Sequence, residues 1–433
     1  MFETGCGSAV ITPRARLQMA GFLGKRIAEG VHDDLMAKAV YLADGPENCM
    51  MLIVVDTLEV DRQFVDEVRR RVEQETGVPA ACCLVAATHT HSGPSGLGRV
   101  ALLGVAKDSQ VFGTFDARLF ERTVTGCVTA ARKARRWARE GTISSGITSM
   151  LHPICGNRRI HTTEQVQMRV LEVETLTRCA VVYNLDCHPT VLHEENRLYS
   201  ADFPGFAASI MPLFEPFVTM PVFLDGAAGD MSTRFYRQSS DFAEVEHIGT
   251  IVAESVAASL DVLKPMSGPF AVRAVEVPMR LKARQFPSAQ DLECRIADTR
   301  KKLEVARLEG VRNLRPLEST IEGLTFAAKM VDGADRADKV EYIDSRLSLV
   351  RFGDILVAGI PGELFSSLGN DIRAAFPDYV VLVAGYCGDY MGYIPDAAAY
   401  GEGGYETFTT FIAKGEGERL RDAAINGLRT LLV

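Results

Sequence analysis

The first ninety residues run as short apolar stretches divided by polar punctuation. Those at 9–13, 35–42, 50–56 and 83–86 predict strands, being short and rich in Val, Leu, Ile and Met. Between the last two, residues 60–77 place Phe64, Val65, Val68 and Val72 at helical spacing and close on Gly77, which predicts a crossover helix. A strand, helix, strand unit predicts an α/β fold, here with a mixed β-sheet core and flanking helices. Further along, 115–139, 206–214 and 241–263 predict helices, and 166–186 holds two strand-like runs that end at Cys187-His188-Pro189. The charge-rich stretch 288–331 keeps helical periodicity but breaks at Gly310 and near Pro316, which predicts a helical hairpin insertion. Its pattern fits a lid, an oligomer contact or a plain solvated face equally well. The last third predicts strands at 347–352, 355–358 and 379–384, a helix over 364–376 and a terminal helix over 408–432.

Composition narrows the class of molecule. With 433 residues, 47% of them apolar and 24% charged, the chain can bury a large core and reads as a globular enzyme. A net charge of -9 offers no basic footprint for phosphates, so nucleic acid and anionic membrane surfaces are excluded as main partners. The N-terminus lacks the basic and apolar regions of a leader, and no stretch is long enough to span a bilayer. The expectation is a cytoplasmic protein without stable membrane insertion. Ten cysteines without a C-x-x-C spacing predict buried reduced thiols, since a chain of this size does not need a disulfide framework.

Four segments carry candidate chemistry. In Ala86-Ala-Thr-His-Thr-His-Ser-Gly-Pro-Ser-Gly96 an apolar strand runs into a turn bearing His89 and His91, which extended backbone would point to one side. Tyr183-Asn-Leu-Asp-Cys-His-Pro189 ends a second strand at His188. Val357-Ala-Gly-Ile-Pro-Gly-Glu363 sets an acid after a strand and a Pro-Gly turn, where a plain helix N-terminus fits as well. Gly388-Asp-Tyr-Met-Gly-Tyr393 is a glycine-punctuated loop with two tyrosines. Two imidazoles, a carboxylate and a further oxygen donor match the needs of catalytic zinc. Taken singly, each segment also fits a structural role.

Together these segments resemble the neutral, non-lysosomal ceramidases. The likeness is ordered along nearly the whole chain: Ile11-Thr12-Pro13, Met19-Ala-Gly-Phe22, Gly30-Val-His32, Thr88-His-Thr-His-Ser-Gly-Pro94, Asn157-Arg158, His188-Pro189, Ser200-Ala-Asp202, Ala228-Gly-Asp-Met-Ser232, Pro361-Gly-Glu363, Gly392-Tyr393 and Tyr405-Glu406. The resemblance implies one zinc ion held by His89, His188, Glu363 and Tyr393. It puts His91 in the place of an acid/base histidine, Arg158 and Tyr405 against the scissile amide, and Ser232 in the active site as nucleophile or orienting hydroxyl. The implied activity is hydrolysis of an N-acyl amide by zinc-activated water, on ceramide or a smaller N-acyl compound. An esterase using the same site, and a non-catalytic zinc-binding or lipid-binding protein, are the alternatives.

The chain also departs from that family. The expectation is a single catalytic domain over 1–433, without the C-terminal β-sandwich that usually follows it in that family. Thr233-Arg234 stands where a Pro-Asn pair is usual, and His193-Glu-Glu-Asn-Arg197 is unusually charged. Those charges favour the smaller, more polar small-molecule amide as substrate. Nothing in the pattern bears on oligomeric state.

Overall fold

The computed structural model describes residues 2–98, 112–160, 166–176, 179–266, 270–311, 314–332 and 340–433. Two sheets form the core. The larger runs Val218–Asp225, Cys179–Leu185, Gln167–Thr175, Arg139–Ser149, Glu3–Val10, Met36–Ala43, Cys49–Val55, Cys83–Ala87, with Lys264–Pro265 added beside Arg139–Ser149. Its outermost pairs are parallel and the other pairings antiparallel. The smaller sheet runs Val272–Lys282, Tyr342–Phe352, Ile355–Gly359, Val380–Ala384, and its last pair is parallel too.

Strand periodicity sorts the side chains into layers. Val40, Leu42, Leu52, Val54, Leu84 and Ala86 join Val350, Val357, Leu382 and Ala384 in a core between the sheets. The alternate residues Ala39, Tyr41, Ile53, Val55 and Val85 instead meet Phe64, Val68, Val124 and Cys127 from helices Arg62–Thr76 and Ala117–Arg136. At the other edge, Asp202–Phe214 and Phe242–Leu260 cover the large sheet. Ser366–Ala374 and Glu416–Thr430 cover the small one. The result is the mixed α/β architecture that the sequence pattern predicts, with helices outside and two sheets face to face.

Several predicted boundaries move. The first strand ends at Val10, and Ile11-Thr12-Pro13 lies outside it. The expected terminal helix is two: a short Tyr405–Thr409 and then Glu416–Thr430. Between them Phe411 and Ile412 are buried in the core and Ile412 bridges Ala283, while Gly415 turns the chain at φ 91° into the second helix. Strands Arg139–Ser149 and Val272–Lys282 escaped the pattern because few of their residues are fully buried and neither holds a long continuous apolar run. The 288–331 stretch forms helices Ala289–Leu308 and Arg315–Asp332, which pack on each other, and the second packs on Tyr405–Thr409. Cys294 is exposed on the first of them, against the expectation of buried thiols. No helix among the described residues is long and apolar enough to cross a membrane.

Candidate metal centre

The three parallel strand pairs of the two core sheets deliver functional side chains from strand ends. Cys83–Ala87 leads to His89, Cys179–Leu185 to His188, Ile355–Gly359 to Glu363, and Val380–Ala384 to the tyrosine loop. Short ladders then lock the loops in register. Glu363 pairs with Tyr393 in a two-residue parallel ladder, so this acid precedes the helix Ser366–Ala374 and does not cap it. His188 bridges Ser232, and Met231–Ser232 pairs with Gly156–Asn157 just before Arg158.

The histidines converge by a route the sequence does not show. His89 is not extended but left-handed, with φ 63°, and its ring stacks on Tyr386, itself left-handed at φ 52°, with centroids 4.0 Å apart. Such backbone is strained for residues with a Cβ and persists only where the surroundings enforce it. The turn brings His91 Nε2 to 3.2 Å from His89 Nε2. Gly21 makes room behind: a Cβ there would collide with the His91 ring, which gives the Met19-Ala-Gly-Phe22 segment a physical purpose.

Polar contacts at the centre fix proton positions. His89 Nδ1 lies 2.7 Å from the Leu58 carbonyl and His188 Nδ1 2.6 Å from that of Ala228. A carbonyl only accepts, so both Nδ1 atoms donate, and a neutral ring then presents a bare Nε2 lone pair. Burial above all keeps both imidazoles neutral, with pKa values pushed down to about 3. These lone pairs face Glu363 Oε2 at 3.6 Å from His89 and 3.1 Å from His188. Acceptors closing on one point call for a cation between them. The residues therefore fit a metal ion, and His89, His91 and His188 offer ring nitrogens within 4.8 Å of one another. His91 is thus near enough to be a ligand itself.

The remaining groups surround this point. Tyr390 donates its hydroxyl to Glu363 Oε1 at 2.6 Å, a contact absent from the sequence expectation although the residue sits in the same loop as Tyr393. Arg158 donates to the Tyr393 hydroxyl at 3.2 Å, to the Gly229 carbonyl at 2.8 Å and to Glu406 at 2.6 Å. Burial works against the Arg158 charge, but Glu406 and then Tyr393 more than offset it, so the guanidinium stays charged. Tyr405 packs edge-on against Tyr393. Ser232 is buried and accepts the Arg234 backbone N–H at 3.1 Å. All eight expected residues gather at the floor or wall of one cleft, His89 and Glu363 lying beneath it.

This architecture is that of solved ceramidases. The chain is similar to neutral ceramidase from Pseudomonas aeruginosa, with a TM-score of 0.77 at 19% identity over 99% of this chain and 74% of that one. It is also similar to a ceramidase complexed with C2, with a TM-score of 0.75 at 16% identity over 100% of this chain and 75% of that one. Residues 2–218 match the profile of the neutral/alkaline non-lysosomal ceramidase N-terminal region. The chain belongs to the neutral/alkaline non-lysosomal ceramidase family, a family of hydrolases.

Proposed function

We propose that this protein is a zinc-dependent amide hydrolase, with the ion held by His89, His188, Glu363 and Tyr393. The observation that carries the proposal is the set of facing lone pairs on His89, His188 and Glu363, with His91 Nε2 in contact, below an open cleft. Zinc, once bound, supplies Lewis acidity and lowers the pKa of water to about 7. The chain's own residues do the rest. Burial pushes the His91 pKa well below its ordinary value, so the ring is a neutral base at working pH. It takes the proton of the attacking water and returns it to the departing nitrogen. One C–N bond breaks, one C–O bond forms from one water, and an acid and an amine leave.

Arg158 and Tyr405 supply donors to the carbonyl oxygen as charge develops on it. Ser232 already accepts the Arg234 N–H, which leaves its own proton for the substrate; it acts as an orienting hydroxyl, since no base is assigned to it. The substrate is an N-acyl compound, ceramide or a smaller amide. Metal content of the purified protein, paired with hydrolysis of a panel from long-chain ceramide to short N-acyl amines, tests this reading. About one zinc per chain with chelator-sensitive hydrolysis is expected; a metal-free chain that stays inactive after zinc addition would overturn it.

A further inference from the structure

The wall of the cleft holds more cations than the reaction uses. Arg158, Arg234, Arg237 and Arg315 all line it. Three are committed. Arg158 is bound to Glu406, Arg315 grips Glu322 through two bonds of 2.7 and 2.9 Å, and Arg237 donates to the carbonyls of Thr190 and Val191. Of the acids, Glu406 also holds Arg159 and Glu322 holds Arg315, while Glu194 lies exposed.

Arg234 differs. Its guanidinium makes no hydrogen bond or ion pair with any described residue, although it is half-buried and also lines the two openings beside the main cleft. Burial first, then Arg158 and Arg315, press its pKa down to about 10, which still leaves it charged at neutral pH. It is held in place by its backbone. Ser232 caps the tight turn Thr233–Phe235, and Ser232 itself bridges His188. The guanidinium therefore projects from the segment next to a proposed metal ligand. A half-buried cation without a partner, shielded in part from water, is stabilised by a ligand that supplies the opposite charge.

The rest of the lining agrees. Among the described residues, its apolar side chains apart from Tyr393 and Tyr405 are Phe22 and Leu23. Two long hydrocarbon chains would find little to bury against among these described residues, whereas sites for apolar ligands are lined mainly by hydrophobic groups.

We propose that Arg234 is a specificity residue that pairs with an anionic group on the substrate, so that the amide cleaved here carries a carboxylate or phosphate, as an N-acyl amino acid or an N-acyl aminoalkyl phosphate does. This rests on the amide-hydrolase reading and narrows it: water cleaves the C–N bond, and the anion stays on the amine product.

The test compares wild type with Arg234→Gln and Arg234→Lys, each checked for equal metal content. Substrates are N-hexanoylglycine, N-hexanoylaminomethyl phosphate, the neutral N-hexanoylglycinamide and a short-chain ceramide. Wild type is expected to favour an anionic amide over the neutral one by about 10- to 100-fold in kcat/KM, with Arg234→Gln removing that preference and Arg234→Lys restoring part of it. Whichever anion is preferred names the group. An anionic-to-neutral ratio near one in wild type, or unchanged in Arg234→Gln, would overturn the proposal. Calorimetric binding of the same anionic amides separates the two readings: a protein that hydrolyses nothing yet binds them through Arg234 loses the hydrolase assignment and keeps the anion site, and binding insensitive to Arg234→Gln removes the site.

Discussion

The floor of the cleft and its arginine wall are built on opposite principles. On the floor, uncharged groups surround a single carboxylate: two imidazoles held by backbone carbonyls and phenols that burial keeps protonated, with Glu363 itself held by Tyr390. On the wall, charged side chains neutralise one another in pairs, Arg158 with Glu406 and Arg315 with Glu322. Neutral donors fixed by uncharged partners suit a metal ion, whose own charge then dominates. Paired charges suit recognition, because a bound ligand trades places with water or with a salt bridge. The contrast separates where bonds change from where the substrate is chosen.

That separation is breakable by substitution. Glu363→Gln removes the floor's only assigned anion; loss of bound metal and of at least about a thousandfold in kcat/KM is expected, read by elemental analysis and amide hydrolysis. Retained metal would move the ligand role to the three histidines. Next, His91→Ala should keep the metal and lower kcat by about 10²- to 10⁴-fold. Loss of metal in that variant would make His91 a ligand rather than a proton carrier.

Glu406 tests the wall. Burial alone would raise its pKa, but the charge of Arg158, a backbone hydrogen bond and Arg159 outweigh that and hold it below its ordinary 4.5. A lowered folded pKa means its stabilisation is complete above pH 4.5 and lost as pH falls through the folded value. Glu406→Gln is expected to cost about 3 kcal/mol in urea unfolding at pH 7, because Arg158 loses its buried partner. The gap from wild type should narrow on acidification; a gap constant with pH would show that charge is not its origin. The smallest effect belongs to Tyr390→Phe, which removes one hydroxyl from Glu363 and should weaken metal affinity by about tenfold in competition with a chelator.

How much of this was legible in the sequence varies by element. The α/β core was readable because 50–56 and 83–86 are short apolar runs flanking an amphipathic helix, and the structure keeps all three almost unshifted. Arg139–Ser149 was not, since an exposed strand needs no apolar run. Strand ends carrying His89, His188 and Glu363 were visible as motifs, and their ordered resemblance to a family supplied the ligand set. Their meeting was invisible, as it depends on left-handed backbone at His89 and on the Glu363–Tyr393 ladder. Tyr386 and Tyr390 were hidden for the same reason: nothing local distinguishes a tyrosine that stacks on a histidine from one that fills a core. The unpaired state of Arg234 is likewise a property of its neighbours.

His188 and Glu363 meet across 175 residues of chain, and each follows a strand of a different core sheet. No fragment carrying one sheet alone possesses the centre. Contacts of such long range form only after the entropy of closing large loops has been overcome, which places them among the last to appear as the chain folds. The centre is therefore a reporter of complete assembly, and any lesion that loosens the packing of one sheet on the other silences it while leaving most of the secondary structure intact.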